Sequence, residues 1–171
     1  MSIWKAGNIM LLYHGTTMEV QNPRIILHEI GRDFGPAFYT TEIKAQAERW
    51  AKRRAMIEHR KSKNAKAIVN VYEWNIEESL SFKNFETASM EWIDMIVNCR
   101  TNNDYAHGFD IVRGKIANDN VGETISYVTR GIMRKEDALE RLKFEKINSQ
   151  TAFCTEIALN TLTFLNSYEV R

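Results

Sequence analysis

Only two prolines, Pro23 and Pro36, occur in 171 residues, and no Gly/Ser/Pro-rich or low-complexity stretch divides the chain. The reading is therefore one domain over residues 1–171 rather than two joined by a linker. Cysteine is equally scarce. Cys99 and Cys154 stand alone without metal-ligand spacing, which argues against a zinc site or a disulfide scaffold and reads as buried free thiols in a reducing cytoplasm. No run approaches the roughly 18 apolar residues of a membrane span. The segment Met1–Lys5 lacks the long apolar stretch of a signal peptide. A cytoplasmic protein that neither crosses nor needs a membrane is expected. Charge of one sign is lacking too: formal net charge is +1, so no global field demands nucleic acid or a membrane surface. What is present, 44% hydrophobic and 26% charged residues, is ordinary for a globular domain with a real core.

The periodicities alternate between strand and helix. Ile9–His14 is a short apolar run closed by glycine and reads as a buried strand. Residues 17–31, with Pro23 and Gly31, read as loop and short extended structure. Ala37–Thr40 reads as another brief strand. Thr41 is the expected cap of a helix over Ile43–His59 with a stripe of Ala45, Ala47, Trp50, Ala51 and Ala55. Ala67–Trp74 alternates as a strand. Glu86–Arg100 is helical by period. Asp110–Ala117 reads as a strand, Val121–Arg130 and Lys135–Leu142 as helices, Glu145–Phe153 as a strand and Thr155–Phe164 as a last helix. Interspersed strands and helices without a repeat predict an α+β fold.

Several residues invite a chemical reading. His14 closes its strand and is followed by Gly15, which lets backbone approach a flat ligand, and by the hydroxyls of Thr16 and Thr17. Tyr39 is either a core aromatic or a ring presented for stacking. Asp33-Phe34-Gly35 copies a kinase triplet, but no glycine-rich loop or catalytic HRD accompanies it, so Gly35 and Pro36 are read as shaping a turn before Tyr39. Asp110–Asp119 reads as a core strand ending in a polar turn, or as one that brings Asn118 or Asp119 to a cleft. Lys52-Arg53-Arg54 with Arg60, Lys61, Lys63 and Lys66 is either a solvated face or a phosphate-facing one.

Taken in order, Tyr-His-Gly-Thr (13–16), Asp-Phe-Gly-x-x-Phe-Tyr-Thr-Thr (33–41), Gln-Ala-x-x-Trp-Ala (46–51), Glu-Trp-Ile (91–93), Asp-Ile-Val-x-Gly-x-Ile-Ala-Asn-Asp (110–119) and Gln-x-x-Phe-x-Thr (150–155) form one ordered set. It resembles a bacterial family of unknown function placed in the ADP-ribosyltransferase superfamily, over roughly residues 11–165. The resemblance implies a split β-sheet core with inserted helices and NAD as co-substrate, with no metal, in a cleft between two small sheets. It implies transfer of ADP-ribose to a macromolecular acceptor, protein or nucleic acid, and a toxin paired with a small antitoxin partner.

The resemblance also assigns residues. His14 and Tyr39 match the first two members of a His-Tyr-Glu signature, with His14 on a ribose hydroxyl and Tyr39 stacked on nicotinamide. Gly15, Thr16, Phe34 and Thr40 complete the expected NAD pocket. The third catalytic position falls on Gln150, where the family usually carries Glu; an amide orients a ribose but supplies no charge to an oxocarbenium-like state. Asn148 falls on the acceptor side. Glu156 is the nearest carboxylate, though it also suits the start of a helix. Ala37 stands where a glycine is typical. The transferase expectation is that His14→Ala and Tyr39→Ala abolish NAD turnover without unfolding the chain. The alternatives are a binding module that has lost catalysis and an NAD glycohydrolase.

Overall fold

Two short sheets pack against each other and are bridged near the start of the chain. The computed structural model describes residues 7–27, 31–62, 64–115, 119–142 and 149–171. Among these, the first sheet joins β1 (Ile9–Thr16), β3 (Ile68–Asn75) and β7 (Leu162–Glu169) in the order β1-β3-β7, all antiparallel. The second joins β2 (Phe38–Thr40), β4 (Phe82–Asn84), β5 (Ile111–Lys115) and β6 (Ser149–Phe153) in the order β2-β6-β5-β4, with only β4 and β5 parallel. The bridge between the sheets is one residue pair. Tyr13 N–H donates to the Thr41 carbonyl at 2.8 Å, and Thr41 N–H returns the bond at 2.9 Å.

Among the described residues five helices flank the sheets: α1 (Lys44–His59), α2 (Met90–Thr101), α3 (Asp119–Thr129), α4 (Lys135–Leu142) and the short α5 (Glu156–Leu159). Strand alternation sorts the core into three layers. Gly15 and Val69 turn to α1, where Ala47 and Ala51 pack. Leu12, Tyr72 and Trp74 turn inward and meet Phe38, Ile111 and Phe153 between the sheets. The next residues along the second sheet, Tyr39, Val112 and Ala152, face α2, α3 and α4. β2 and β6 are buried at every position, although β6 opens with the polar Ser149, Gln150 and Thr151. The result is a helix–sheet–sheet–helix stack, α+β as expected.

Several expectations need correction. The helix expected over Thr155–Phe164 is only the single turn of α5, capped by the Thr155 hydroxyl accepting Ala158 N–H. Leu162–Glu169 is a strand instead, because the outer edge of β3 offers a ladder of unpaired backbone groups that an extended segment satisfies. Leu162 and Phe164 then pack inward by alternation. α1 starts at Lys44. Thr41 caps nothing; its hydroxyl accepts the Ile43 N–H within a turn. The buried face of α1 includes Gln46 rather than the exposed Ala45. α2 begins at Met90, where the Ser89 hydroxyl accepts the Trp92 N–H and fixes the start. β4 had no expectation. Asn118 and Asn148 lie outside the described residues, as does the first part of the strand expected over Glu145–Phe153, while Asp119 is the first residue of α3.

Candidate active site

The seam between the sheets opens into a cleft of about 310 Å³, at the low end of small-molecule pockets. Three separate strands bring His14, Tyr39 and Gln150 to its wall, together with Gly15. The loop before β2 adds Gly31, Arg32 and Asp33; α1 adds Trp50, Arg53, Arg54 and Ile57. Gly15 explains why α1 reaches the cleft. A Cβ there would lie 2.1 Å from the Ala47 carbonyl oxygen and 2.8 Å from Ala51 N, so only glycine lets the helix backbone lie against the end of β1. The glycine expected to admit a ligand is required first by helix packing.

His14 is anchored at its inner nitrogen. Nδ1 lies 2.7 Å from the Tyr39 carbonyl oxygen, which only accepts, so Nδ1 carries the proton and donates. The ring also leans on Phe38, with centroids 4.4 Å apart. The imidazole is thereby held in one orientation at the seam.

Tyr39 is 4% exposed, and its hydroxyl is fully used. It donates to the Gly35 carbonyl at 2.6 Å and accepts the Phe34 N–H at 3.1 Å. Burial pushes this phenol well above its usual range, so it serves as a neutral strut, and what it offers the cleft is its ring. The Arg32 guanidinium lies 4.6 Å from that ring's centre. The turn beneath is set by Gly35 at φ +75°, with Gly35 N–H donating to the Arg32 carbonyl.

Gln150, 4% exposed, meets a carboxylate. Its Nε2 donates to Asp33 Oδ2 at 3.5 Å, a long contact. Since a carboxylate only accepts, this orients the amide and turns Oε1 away as the remaining acceptor. Asp33 in turn is gripped by Arg100 of α2, whose Nε donates to Oδ1 at 2.9 Å with Nη2 on the same oxygen. His107 braces the turn: Nε2–H donates to the Phe34 carbonyl at 3.1 Å, and Nδ1 accepts the Phe109 N–H at 3.1 Å. Burial lowers the His107 pKa, favouring the neutral ring that these two bonds require.

Among the described residues that line the cleft, Thr16, Phe34 and Thr40 are missing. Phe34 is fully buried and stacks with Phe85. Thr40 points to the other face of the second sheet, where its hydroxyl donates to the Thr151 carbonyl. Thr16 lies at the end of β1. Glu156 is exposed on α5 and does not line the cleft either. Ala37 packs in the core beside Tyr39. Burial pushes Cys99 up to about 11 and Cys154 up to about 12, so neither is a thiolate nucleophile at neutral pH.

Sequence reasoning passed over Asp33, Arg32 and Trp50. Asp33 sat in a triplet read only as a turn, and its partner Arg100 lies 67 residues away, where no local pattern points to it. The residues from His14 to Gln150 fall inside one recognised sequence family, whose pattern matches residues 10–164. The chain belongs to the DUF3990 family, proteins of unknown function. No curated protein matches it. The family match therefore places every cleft residue in a common framework without assigning it a chemistry. Among the described residues no group of three or more His, Cys, Asp or Glu is gathered to hold a metal ion. No helix among them is long and apolar enough to cross a membrane.

Proposed function

We propose that this DUF3990 protein is a mono-ADP-ribosyltransferase that breaks the nicotinamide–ribose bond of NAD and passes ADP-ribose to a macromolecule. The observation that carries this reading is the convergence of His14, Tyr39 and Gln150, from β1, β2 and β6, on one cleft at the seam of two sheets. That is the arrangement an ADP-ribosyltransferase-like split sheet requires. The surroundings suit the ligand. Arg32, Arg53 and Arg54 bring donors for phosphate oxygens, and His14 and Gln150 suit ribose hydroxyls. The Tyr39 ring, which already holds a guanidinium, suits a nicotinamide that is itself cationic in oxidised NAD. The cleft has room for the nicotinamide and its ribose rather than for the whole dinucleotide.

In this mechanism the bond between the anomeric carbon and the pyridinium nitrogen breaks, and its electron pair leaves with neutral nicotinamide. The acceptor nucleophile then bonds to the anomeric carbon and gives up its proton to solvent. Positive charge develops on the ribose between those events. Gln150 Oε1 accepts from a ribose hydroxyl, and Asp33 behind it supplies the negative charge that an amide lacks. Tyr39 takes no proton, because its hydroxyl is already spent on Gly35 and Phe34.

The test is nicotinamide release from NAD. His14→Ala should lower it about 100-fold, while losing only about 1 kcal/mol of stability for the bond to the Tyr39 carbonyl. Full release by the variant would overturn the site. Tyr39→Ala is a poor companion, against expectation, because it deletes a core ring and costs about 3–5 kcal/mol. A second reading, an NAD-binding module without chemistry, draws on Gln150 standing where a glutamate is usual; it predicts NAD binding with no nicotinamide released. Free ADP-ribose as the product would instead mark a glycohydrolase. A cytoplasmic toxin held by a small antitoxin partner is the setting that the resemblance implies.

A further inference from the structure

The near-neutral net charge hides a strong asymmetry. Residues 44–66 hold nine Lys and Arg against two Glu, whereas the rest of the chain holds fourteen against twenty acids. The structure makes most of this segment one helix, α1, and turns its cations outward. Arg49, Lys52, Arg53 and Arg60 recur at i, i+3, i+4 and i+11, the spacing of a single helix face, and all are exposed. Arg54 and Lys61 flank the stripe and are exposed as well.

Lys44 and Lys66 each face a carboxylate, Glu48 and Glu169. Arg49, Lys52, Arg60 and Lys61 meet none among the described residues. A face that only solvates a helix mixes its signs, as α4 does with Lys135, Glu136, Asp137, Glu140 and Arg141. A one-signed stripe repels itself and gains when a polyanion covers it.

The stripe also leads somewhere. Arg53 and Arg54 belong to the cleft wall, beside Trp50. We infer that this face of α1 binds the sugar–phosphate backbone of single-stranded nucleic acid and delivers an unpaired nucleotide to the mouth of the cleft as acceptor. The delivery half rests on reading the cleft as the NAD-cleaving site. Single strands are favoured over duplex by geometry. A base stacked in a duplex cannot be presented to the cleft, whereas an unpaired one can be splayed against its wall, where Trp50 offers a stacking surface.

The experiment uses the full chain and fluorescently labelled 20-nucleotide probes: single-stranded RNA, single-stranded DNA of the same sequence, and the DNA duplex. Binding is followed by anisotropy over a salt series. Either single strand should bind more tightly than the duplex, and the RNA and DNA arms tell which sugar is preferred. The combined variant Arg49→Glu, Lys52→Glu, Arg60→Glu and Lys61→Glu should bind at least about tenfold more weakly and lower the salt slope by about 3. The corresponding four-glutamine variant should show the same trend without charge reversal and guards against a folding defect. These four residues lie outside the cleft wall, so nicotinamide release should stay within about twofold. Duplex preference, unchanged binding in both variants, or label from NAD recovered on protein rather than nucleic acid would overturn the inference. Wild-type protein that binds single strands yet releases no nicotinamide would leave the α1 surface standing and overturn the delivery half together with the cleft reading.

Discussion

Ser149 and Gln150 are neighbours on β6 that point to opposite faces of the second sheet, and each rests on a carboxylate held by an arginine. Behind Gln150 stands Asp33 with Arg100; behind Ser149 stands Glu42 with Arg113. The Ser149 hydroxyl donates to Glu42 Oε1 at 3.0 Å, and Arg113 also reaches Asn84 Oδ1 at 3.2 Å. The local chemistry is nearly the same, and the placement differs. Asp33 lines the cleft with its side chain only 8% exposed, while Glu42 is 27% exposed and lines no part of that cleft. A carboxylate–arginine pair is thus no sign of a site by itself. What sets Asp33 apart is that it holds the Gln150 amide and lines one cleft with His14 and Tyr39.

The largest expected difference between the two pairs is in stability. Arg100→Ala removes the guanidinium that grips the buried Asp33 and should cost about 3 kcal/mol. Arg113→Ala leaves the more open Glu42 to water and should cost about 1–2 kcal/mol. Urea unfolding of both variants decides this, and equal losses would erase the distinction.

Activity offers a sharper cut. Asp33→Asn keeps the shape of the cleft and removes its charge, so nicotinamide release should fall about 100-fold. Glu42→Gln should leave release within about twofold. If both variants lose activity together, the second sheet acts as one unit and the comparison fails.

The smallest effect is the response to acid, and it should fall on the Asp33 side. His107 braces the turn that carries Asp33 and has its pKa lowered from 6.5 by burial. The unfolded chain then binds a proton more readily than the folded one. The contribution of neutral His107 is fully present above pH 6.5 and is lost as pH falls below it toward the folded-state value. Urea midpoints between pH 7.5 and 5.5 should decline more in wild type than in His107→Gln. Identical slopes would show that His107 does not brace the turn.

Much of the fold was legible where one period ran cleanly. β1, β3 and α4 fall close to their expected spans because alternation or a 3.6-residue stripe is unambiguous there. The region around 155–169 was not legible. Ile157, Ala158, Leu159, Leu162 and Phe164 satisfy a helical stripe as well as a turn followed by a strand, and the waiting edge of β3 decides between them. The cleft divides the same way. His14, Tyr39 and Gln150 are marked by motif, although β1 runs two residues past the end expected at His14 and Tyr39 is the middle residue of β2. Asp33 reads in sequence as part of a turn, while alternation turns Thr40 away from the cleft and the turn before β2 buries Phe34 against Phe85.

The sequence by itself determined the strand and helix material, the histidine–glycine pair of β1 and the basic stripe, because each is written in residues close together along the chain. Only the tertiary structure decided that Gly15 serves the backbone of α1, that Arg100 grips Asp33 from 67 residues away, and that Asp33 stands behind Gln150 while Glu156 lies exposed away from the cleft. Those outcomes depend on which buried donor meets which acceptor once the sheets close, and local periodicity carries no record of such pairings.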